Sequence, residues 1–162
     1  MIKYLFVLFP ITVFSQGYET QKYDLLKTID NIEIRYYPPS MRAKVSSNRN
    51  FSKLFQYISG NNENSEKIAM TTPVYMTQEK GKSTMEFVLP SKYSEGNAVL
   101  PKDKDILVYS SKPGYYAAIR FGGYSNIQKV NLNHNLLLEK IKQNNLSIVS
   151  ENPIALSYNS PY

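Results

Sequence analysis

The side chains of this sequence best suited to acid–base work are its one histidine, His134, and two carboxylates three residues apart, Glu63 and Glu66. A nucleophile of the serine or cysteine type would need such a base beside it, held by a third group. His134 lies on an apolar helical stripe with Val130, Leu137, Leu138 and Ile141 and reads as a core or edge residue. Glu63 and Glu66 fall in an asparagine-rich loop and read as solvent-facing. There is no Gly-x-Ser-x-Gly elbow, and Gly122-Gly123 is too short to cradle a phosphate. The chain has no cysteine, which excludes disulfides and thiolate metal sites, and no His/Asp/Glu cluster has metal-ligand spacing. No catalytic residue and no metal ligand is therefore assigned, and the sequence offers no argument for an enzyme.

What remains is aromatic. Among the fourteen tyrosines, Tyr36, Tyr37, Tyr57, Tyr75, Tyr109, Tyr115, Tyr116 and Tyr124 are spread through both halves of the chain. A phenol offers a flat apolar body with a polar tip, which suits both pockets and barrel surfaces.

The elements that position these residues follow from periodicity. Ile32–Tyr36 and Met41–Val45 alternate around Pro38-Pro39-Ser40 and read as two strands joined by a turn. Asn48 to Asn50 offer helix caps; Phe51, Leu54, Phe55 and Ile58 then recur at helical spacing, and Gly60 stands at the stop. Ile68, Met70, Val74 and Met76 share one parity in a strand that Pro73 makes kinked or peripheral. A turn at 78–83 leads to alternating Met85, Phe87 and Leu89. The order then repeats: a strand at 106–110, a turn at Lys112-Pro113-Gly114, and a strand through Tyr115, Ala117, Ile119 and Phe121. A Ser125-x-x-Gln128 capping box opens a helix over 126–143 with Ile127, Val130, His134, Leu137, Leu138 and Ile141 on one face, and a strand kinked at Pro153 follows over 148–158. Two such copies, about 75 residues apart, predict an α+β fold. The expected form is a distorted open β-barrel of two pseudo-symmetric halves, 24–93 and 104–158, each flanked by one helix.

The length is one domain's worth, enough to bury roughly 70% of the unfolded surface. Residues 1–16 differ from the rest: a lysine near the start, an apolar run from Tyr4 to Phe14, then Ser15-Gln16. This is the layout of a signal peptide, the run being about half the ~20 residues of a membrane span. A periplasmic or extracellular protein without stable membrane insertion is expected. The net charge of +6 falls to +5 without that segment, which carries only Lys3, and the basic residues are scattered. They read as a solvated surface, not a nucleic-acid site.

Several blocks resemble a known family. They are Tyr18-Glu19, Ile32-Glu33-Ile34-Arg35-Tyr36-Tyr37-Pro38-Pro39, Phe55-x-Tyr57-Ile58-Ser59-Gly60-Asn61-Asn62, Lys67-Ile68-Ala69-Met70-Thr71-Thr72-Pro73-Val74, Met85-x-Phe87-Val88-Leu89-Pro90-Ser91-Lys92-Tyr93, Phe121-x-Gly123 and Tyr158-Asn159-x-Pro161. Together they are similar to the SOUL haem-binding family across residues 18–162. The resemblance implies a distorted barrel of two similar halves and non-covalent binding of haem or a related tetrapyrrole. It places the ligand in an apolar groove at the first helix, here Phe51, Leu54, Phe55, Gln56 and Ile58, without an obligatory axial ligand. Basic residues near the propionates would be Lys53, Arg42 or Lys44. Gln56 stands where groove-binding relatives have lysine. The family's final strand is expected to be missing from 17–162, leaving an open sheet edge beside 148–158 and a monomer or weak self-association through it. Two other readings stay open: a general pocket for small apolar or cationic molecules, as in the GyrI-like effector-binding domains it resembles, and a protein–protein interaction module.

N-terminal sequencing of the protein from its native cells is expected to begin at Gln16 or Gly17; a soluble product that starts at Met1 would contradict export.

Overall fold

The computed structural model describes residues 17–79, 81–123, 126–150 and 152–158. The expected signal segment, the start of the capping box at Ser125, and Tyr124 lie outside them.

Two bent strands organise the chain. β3 (Ile32–Tyr37) and β4 (Met41–Ser46) are separated by Pro38-Pro39-Ser40. After β2 (Asp24–Ile29), before β3, and much later β8 (Leu107–Ser110) and β9 (Gly114–Ile119), the pairing becomes clear. β3 pairs antiparallel with β9, ending at Tyr37 opposite Gly114, and β4 pairs antiparallel with β8, beginning at Met41 opposite Ser110. The register is the same on both sides of the bend. Continued through it, that register sets Pro38 opposite Pro113, two residues that cannot donate to a ladder. Ser40 and Ser111 restore the lost bonds: Ser111 N–H donates to Ser40 O at 2.9 Å, and Ser40 N–H donates to Ser111 Oγ at 3.1 Å. The turn expected between β3 and β4 exists, but the two strands do not pair with each other. It carries the chain from one sheet into the next.

The rest of the fold is built on this ribbon. β3 and β9 are completed by β2, which a bulge interrupts and which joins β3 through Asp30 at φ 52°. The periodicity of the sequence did not reveal β2, because adjacent Leu25 and Leu26 break the alternation. On the other side of the bend lies a five-stranded sheet in the order β10 (Ala155–Ser157), β6 (Val74–Glu79), β7 (Lys82–Val88), β4, β8. The break expected at Pro73 occurs, at a cis peptide: β5 (Thr71–Thr72) pairs in parallel with β1 (Glu19–Thr20), and β6 continues beyond. β6 is not peripheral, for β7 and β10 flank it. The turn between β6 and β7 is shorter than 78–83, since Glu79 already pairs with Lys82.

Helix α1 (Asn50–Ile58) packs on β4 and β7, and α2 (Ile127–Gln143) packs on β9. The protein is thus α+β, with two helices and several sheets that form no closed barrel among the described residues. The core lies under α1: Met41, Ala43, Val45, Leu54, Tyr57 and Phe87 are all buried. The face of α2 is much less covered than its stripe predicts. Only Ile141 is buried, Ile127 is 62% exposed, and His134 is half-buried. The main strand contact of α2 is with β9, at the edge of the three-stranded sheet, so one strand covers little of the stripe. Its N-cap is Asn126, whose Oδ1 accepts from Lys129 N–H at 2.8 Å.

The asparagine–glycine segment after α1 is structural. Gly60, at φ 114°, allows Asn61 N–H to reach Gln56 O at 3.0 Å and Gly60 N–H to reach Tyr57 O at 3.3 Å, a Schellman stop. Fully buried Asn62 then donates from Nδ2 to Tyr57 O at 2.9 Å and Glu66 O at 2.7 Å, and its Oδ1 accepts from Glu66 N–H at 3.0 Å. Glu66 is not free either. Its carboxylate takes the Tyr93 hydroxyl at 2.7 Å and Lys92 at 3.3 Å, which hold its pKa below the usual value.

Asn62→Ala takes the side-chain partner from Glu66 N–H and Glu66 O and leaves Tyr57 O with only its longer bond from Gly60, and is expected to lower stability by about 2–3 kcal/mol. The urea midpoint should fall with an unchanged slope; an unchanged midpoint would show that water replaces the amide at no cost.

Candidate functional site

Residues of α1 divide between three sides of the helix, as a 3.6-residue period requires. Leu54 and Ile58 point into the core, 0% and 5% exposed, and leave no surface for a ligand. Phe51 is half-buried and Phe55 is 39% exposed; their rings stack at 5.7 Å and 16° along one flank. Phe51 also meets Phe87 of β7 edge-on at 5.7 Å. Gln56 faces solvent. Lys53 turns to the opposite flank, where Nζ reaches Asp105 at 2.6 Å and Asp103 at 2.9 Å. Those two bonds raise the Lys53 pKa. Of the six α1 residues that the resemblance nominated, then, the structure brings Phe51 and Phe55 together and separates Lys53 from them.

The aromatic flank continues onto the sheet. Met76 and Met85 are direct cross-strand partners, next to the Val74–Phe87 pair. Directly opposed residues of an antiparallel ladder share a side. Hence the two methionines lie on the α1 side, beside Phe87. Met70, Met76 and Met85 are half-buried and pack against the same core. The start of α1 is fixed over this place by Asn50, whose amide donates to Ser83 O at 2.9 Å. Asn50 is therefore a helix-to-sheet tie instead of the expected cap; the N-cap position is Arg49, which has no side-chain cap bond and is exposed. Sequence reasoning missed Arg49 and the methionines as candidates, although parity had already placed the methionines on inward strand positions.

The other face of β4 is polar. Arg42 pairs with Glu86 at 3.2 Å and lies 3.9 Å over the Tyr75 ring. Tyr109 OH donates to the same Glu86 oxygen at 2.8 Å, and Lys44 Nζ lies 4.0 Å from Glu86. Tyr75 OH donates to Gln21 at 2.6 Å, and both Gln21 and Arg42 donate to Ser40 Oγ at the bend. Burial pushes the Tyr75 phenol up to about 12; burial and then the bond to Glu86 raise Tyr109. Arg42 and Lys44, expected near propionates, are thus engaged with Glu86 on the side away from α1. Alternation over Met41–Val45 predicts a strand with one face buried; both faces of β4 are buried, because Arg42 has a carboxylate and a ring to receive it. An open recess of about 460 Å³ at the bend is lined by Ser40, Tyr93, Ser94, Glu95 and Ser110, and offers no comparable aromatic wall. No group of three or more His, Cys, Asp or Glu side chains placed to hold a metal ion occurs among the described residues.

A family model described as SOUL heme-binding protein matches residues 18–162, nearly the whole chain. The chain belongs to the SOUL haem-binding family. No curated protein matches it. The SOUL family is not known as enzymatic. A tetrapyrrole is a flat apolar body with two carboxylates, and the residues of this SOUL chain fit one on the Phe51–Phe55 flank. Two stacked rings provide a wall and polarisable thioethers lie beside them, while Arg49, just before α1, is an exposed cation and Lys53 is turned away to Asp103 and Asp105.

Arg42→Met leaves Glu86, whose side chain is 10% exposed, short of its main counter-charge and is expected to cost about 3 kcal/mol. Adding Glu86→Leu should restore more than half of that in a denaturant-unfolding cycle; additive losses would show that the two charges act independently.

Proposed function

We propose that the protein is an exported, non-enzymatic binder of haem or a related tetrapyrrole, held by apolar contact on the flank of α1 without an obligatory axial ligand. The observation that carries this reading is the half-exposed Phe51–Phe55 stack beside Met76 and Met85, in a chain of the SOUL family. The phenylalanines and methionines take the face of the macrocycle, Gln56 borders it, and Arg49 attracts the propionates. Leu54 and Ile58 support the flank from below, and Lys53 orders the loop that carries Asp103 and Asp105.

A porphyrin face burying roughly 400 Å² contributes about 10 kcal/mol gross, at ~25 cal/mol per Å². Association costs of at least ~4 kcal/mol leave an affinity of roughly tens of micromolar from apolar contact alone.

The reading extends to the architecture and its surroundings. The unbroken register about Ser40 and Ser111, with one helix on each side of it, supports a distorted barrel of two pseudo-symmetric halves. The charged start and apolar run of residues 1–16 support export and cleavage. β10 has β6 on one side and no strand on the other among the described residues, which supports weak self-association at that edge.

Titration with haem and with metal-free protoporphyrin, followed by the Soret band and by porphyrin fluorescence, tests the reading. Phe55→Asp is expected to weaken both about tenfold or more, or ~1.4 kcal/mol and upward. Lys53→Ala should leave both unchanged. Unaltered binding by Phe55→Asp, or no binding of either probe by the unmodified protein, would reject the α1 flank as the site.

A further inference from the structure

We infer that Met76 and Met85 make this site selective for the ferrous state of haem, one of the two thioethers coordinating the iron. The inference rests on the reading that a tetrapyrrole occupies the α1 flank, and adds to it a redox preference and the residues that set it.

Met76 and Met85 face each other across β6 and β7, and the pair next to them along the ladder is Val74 and Phe87. Phe87 touches Phe51, and Phe51 stacks on Phe55. The Asn50 tie to Ser83, two residues before Met85, brings the start of α1 to the same end of β7. Both methionines are half-buried, so the sheet grips their stems without sealing them away. Unbranched side chains with three rotatable bonds can reorient a sulfur toward a ligand without moving the backbone.

Rival iron ligands at this flank are few among the described residues. The chain has no cysteine. Its one histidine, His134, lies on α2, which packs on β9 in the other sheet. The Tyr57 phenol is buried and donates to Val99 O at 2.6 Å, while Tyr75 and Glu86 are engaged on the opposite face of the sheet. At the α1 flank the thioethers are the soft donors among the described residues.

Chemistry supplies the direction. A thioether is neutral and soft, and it carries no proton to lose. It binds the softer ferrous iron better than ferric iron and raises the reduction potential of a haem it ligates. Coordination forms one sulfur–iron bond and displaces at most a water. Metal-free porphyrin needs no such bond, so apolar contact still accounts for its binding.

The test uses three probes on the whole chain: metal-free protoporphyrin, ferric haem, and ferrous haem under dithionite. The first two are expected to bind with similar affinity and the third about tenfold more tightly. Magnetic circular dichroism of the ferrous complex should carry the signature of a sulfur ligand. The Met76→Leu/Met85→Leu double variant conserves volume. It should keep its affinity for metal-free protoporphyrin and lose the ferrous preference and the sulfur signature. Equal affinity for the two iron states, retention of the preference in the double variant, or its loss in His134→Ala would overturn the inference while leaving the α1 site standing. Failure of metal-free protoporphyrin to bind the unmodified protein would remove the site itself, and this inference with it.

Discussion

A ladder that crosses two opposed prolines without losing its register is the constraint on which the structure depends. Pro38 and Pro113 cannot donate, so the strands must bend where they meet. Ser40 and Ser111 close the gap on the far side of the bend with a backbone bond and a side-chain bond. From there one register fixes β3 against β9 and β4 against β8. A slip by one residue would reverse every side chain on β4. Arg42 would then enter the apolar core, and Met41, Ala43 and Val45 would face the polar side. The cost of that exchange, a charge stripped of its partners in the core, is what locks the register.

Because β4 is buried on both faces, the two faces carry different burdens. The face under α1 is a packed apolar core, and its edge spills out as Phe51, Phe55 and the methionines. The opposite face is a set of ionic and hydrogen-bonding groups that satisfy one another: Arg42 with Glu86, Glu86 with Tyr109, Tyr75 with Gln21, Gln21 with Ser40. A ligand entering there would have to break charged pairs already made. On the α1 flank a ligand displaces only water from half-exposed aromatic carbon, which is the favourable direction for a flat apolar molecule.

The alternating strands and the two helices were legible because each side chain's side of an element follows from spacing alone. Which strands pair was not, since alternation names a face and never a neighbour; Ile32–Tyr36 and Met41–Val45 look like hairpin partners until the bend separates them. β2 was hidden by consecutive Leu25 and Leu26, whose pairing with β3 shifts at a bulge. Within the site, Leu54, Ile58, Phe51 and Phe55 form one helical stripe in the sequence. Only the position of β4 and β7 beneath α1 divides that stripe into a core half and a surface half. Arg42 looked solvent-facing because its carboxylate comes 44 residues later. Glu66 looked free for the same kind of reason, its phenol partner being 27 residues away.

The Ile-Ala-Met-Thr-Thr-Pro-Val segment can now be understood through what its neighbours need. Ile68 N–H is held by Ile58 O at 2.8 Å, which ties the segment to the end of α1. Thr71 donates its hydroxyl to Val88 O, and Thr72 O receives Gln21 N–H at 2.8 Å, so both threonines are spoken for by strands on either side. Pro73, with no N–H to offer, ends the pairing with β1 and lets β6 begin against β7 and β10. The segment therefore links the helix, the amino-terminal strand and the five-stranded sheet within seven residues. Met70 and Met76, on either side of the break, both pack against the α1 core. A segment that makes these joints also determines where the thioethers stand, so the position of the methionines beside the aromatic flank follows from the fold before any ligand is considered.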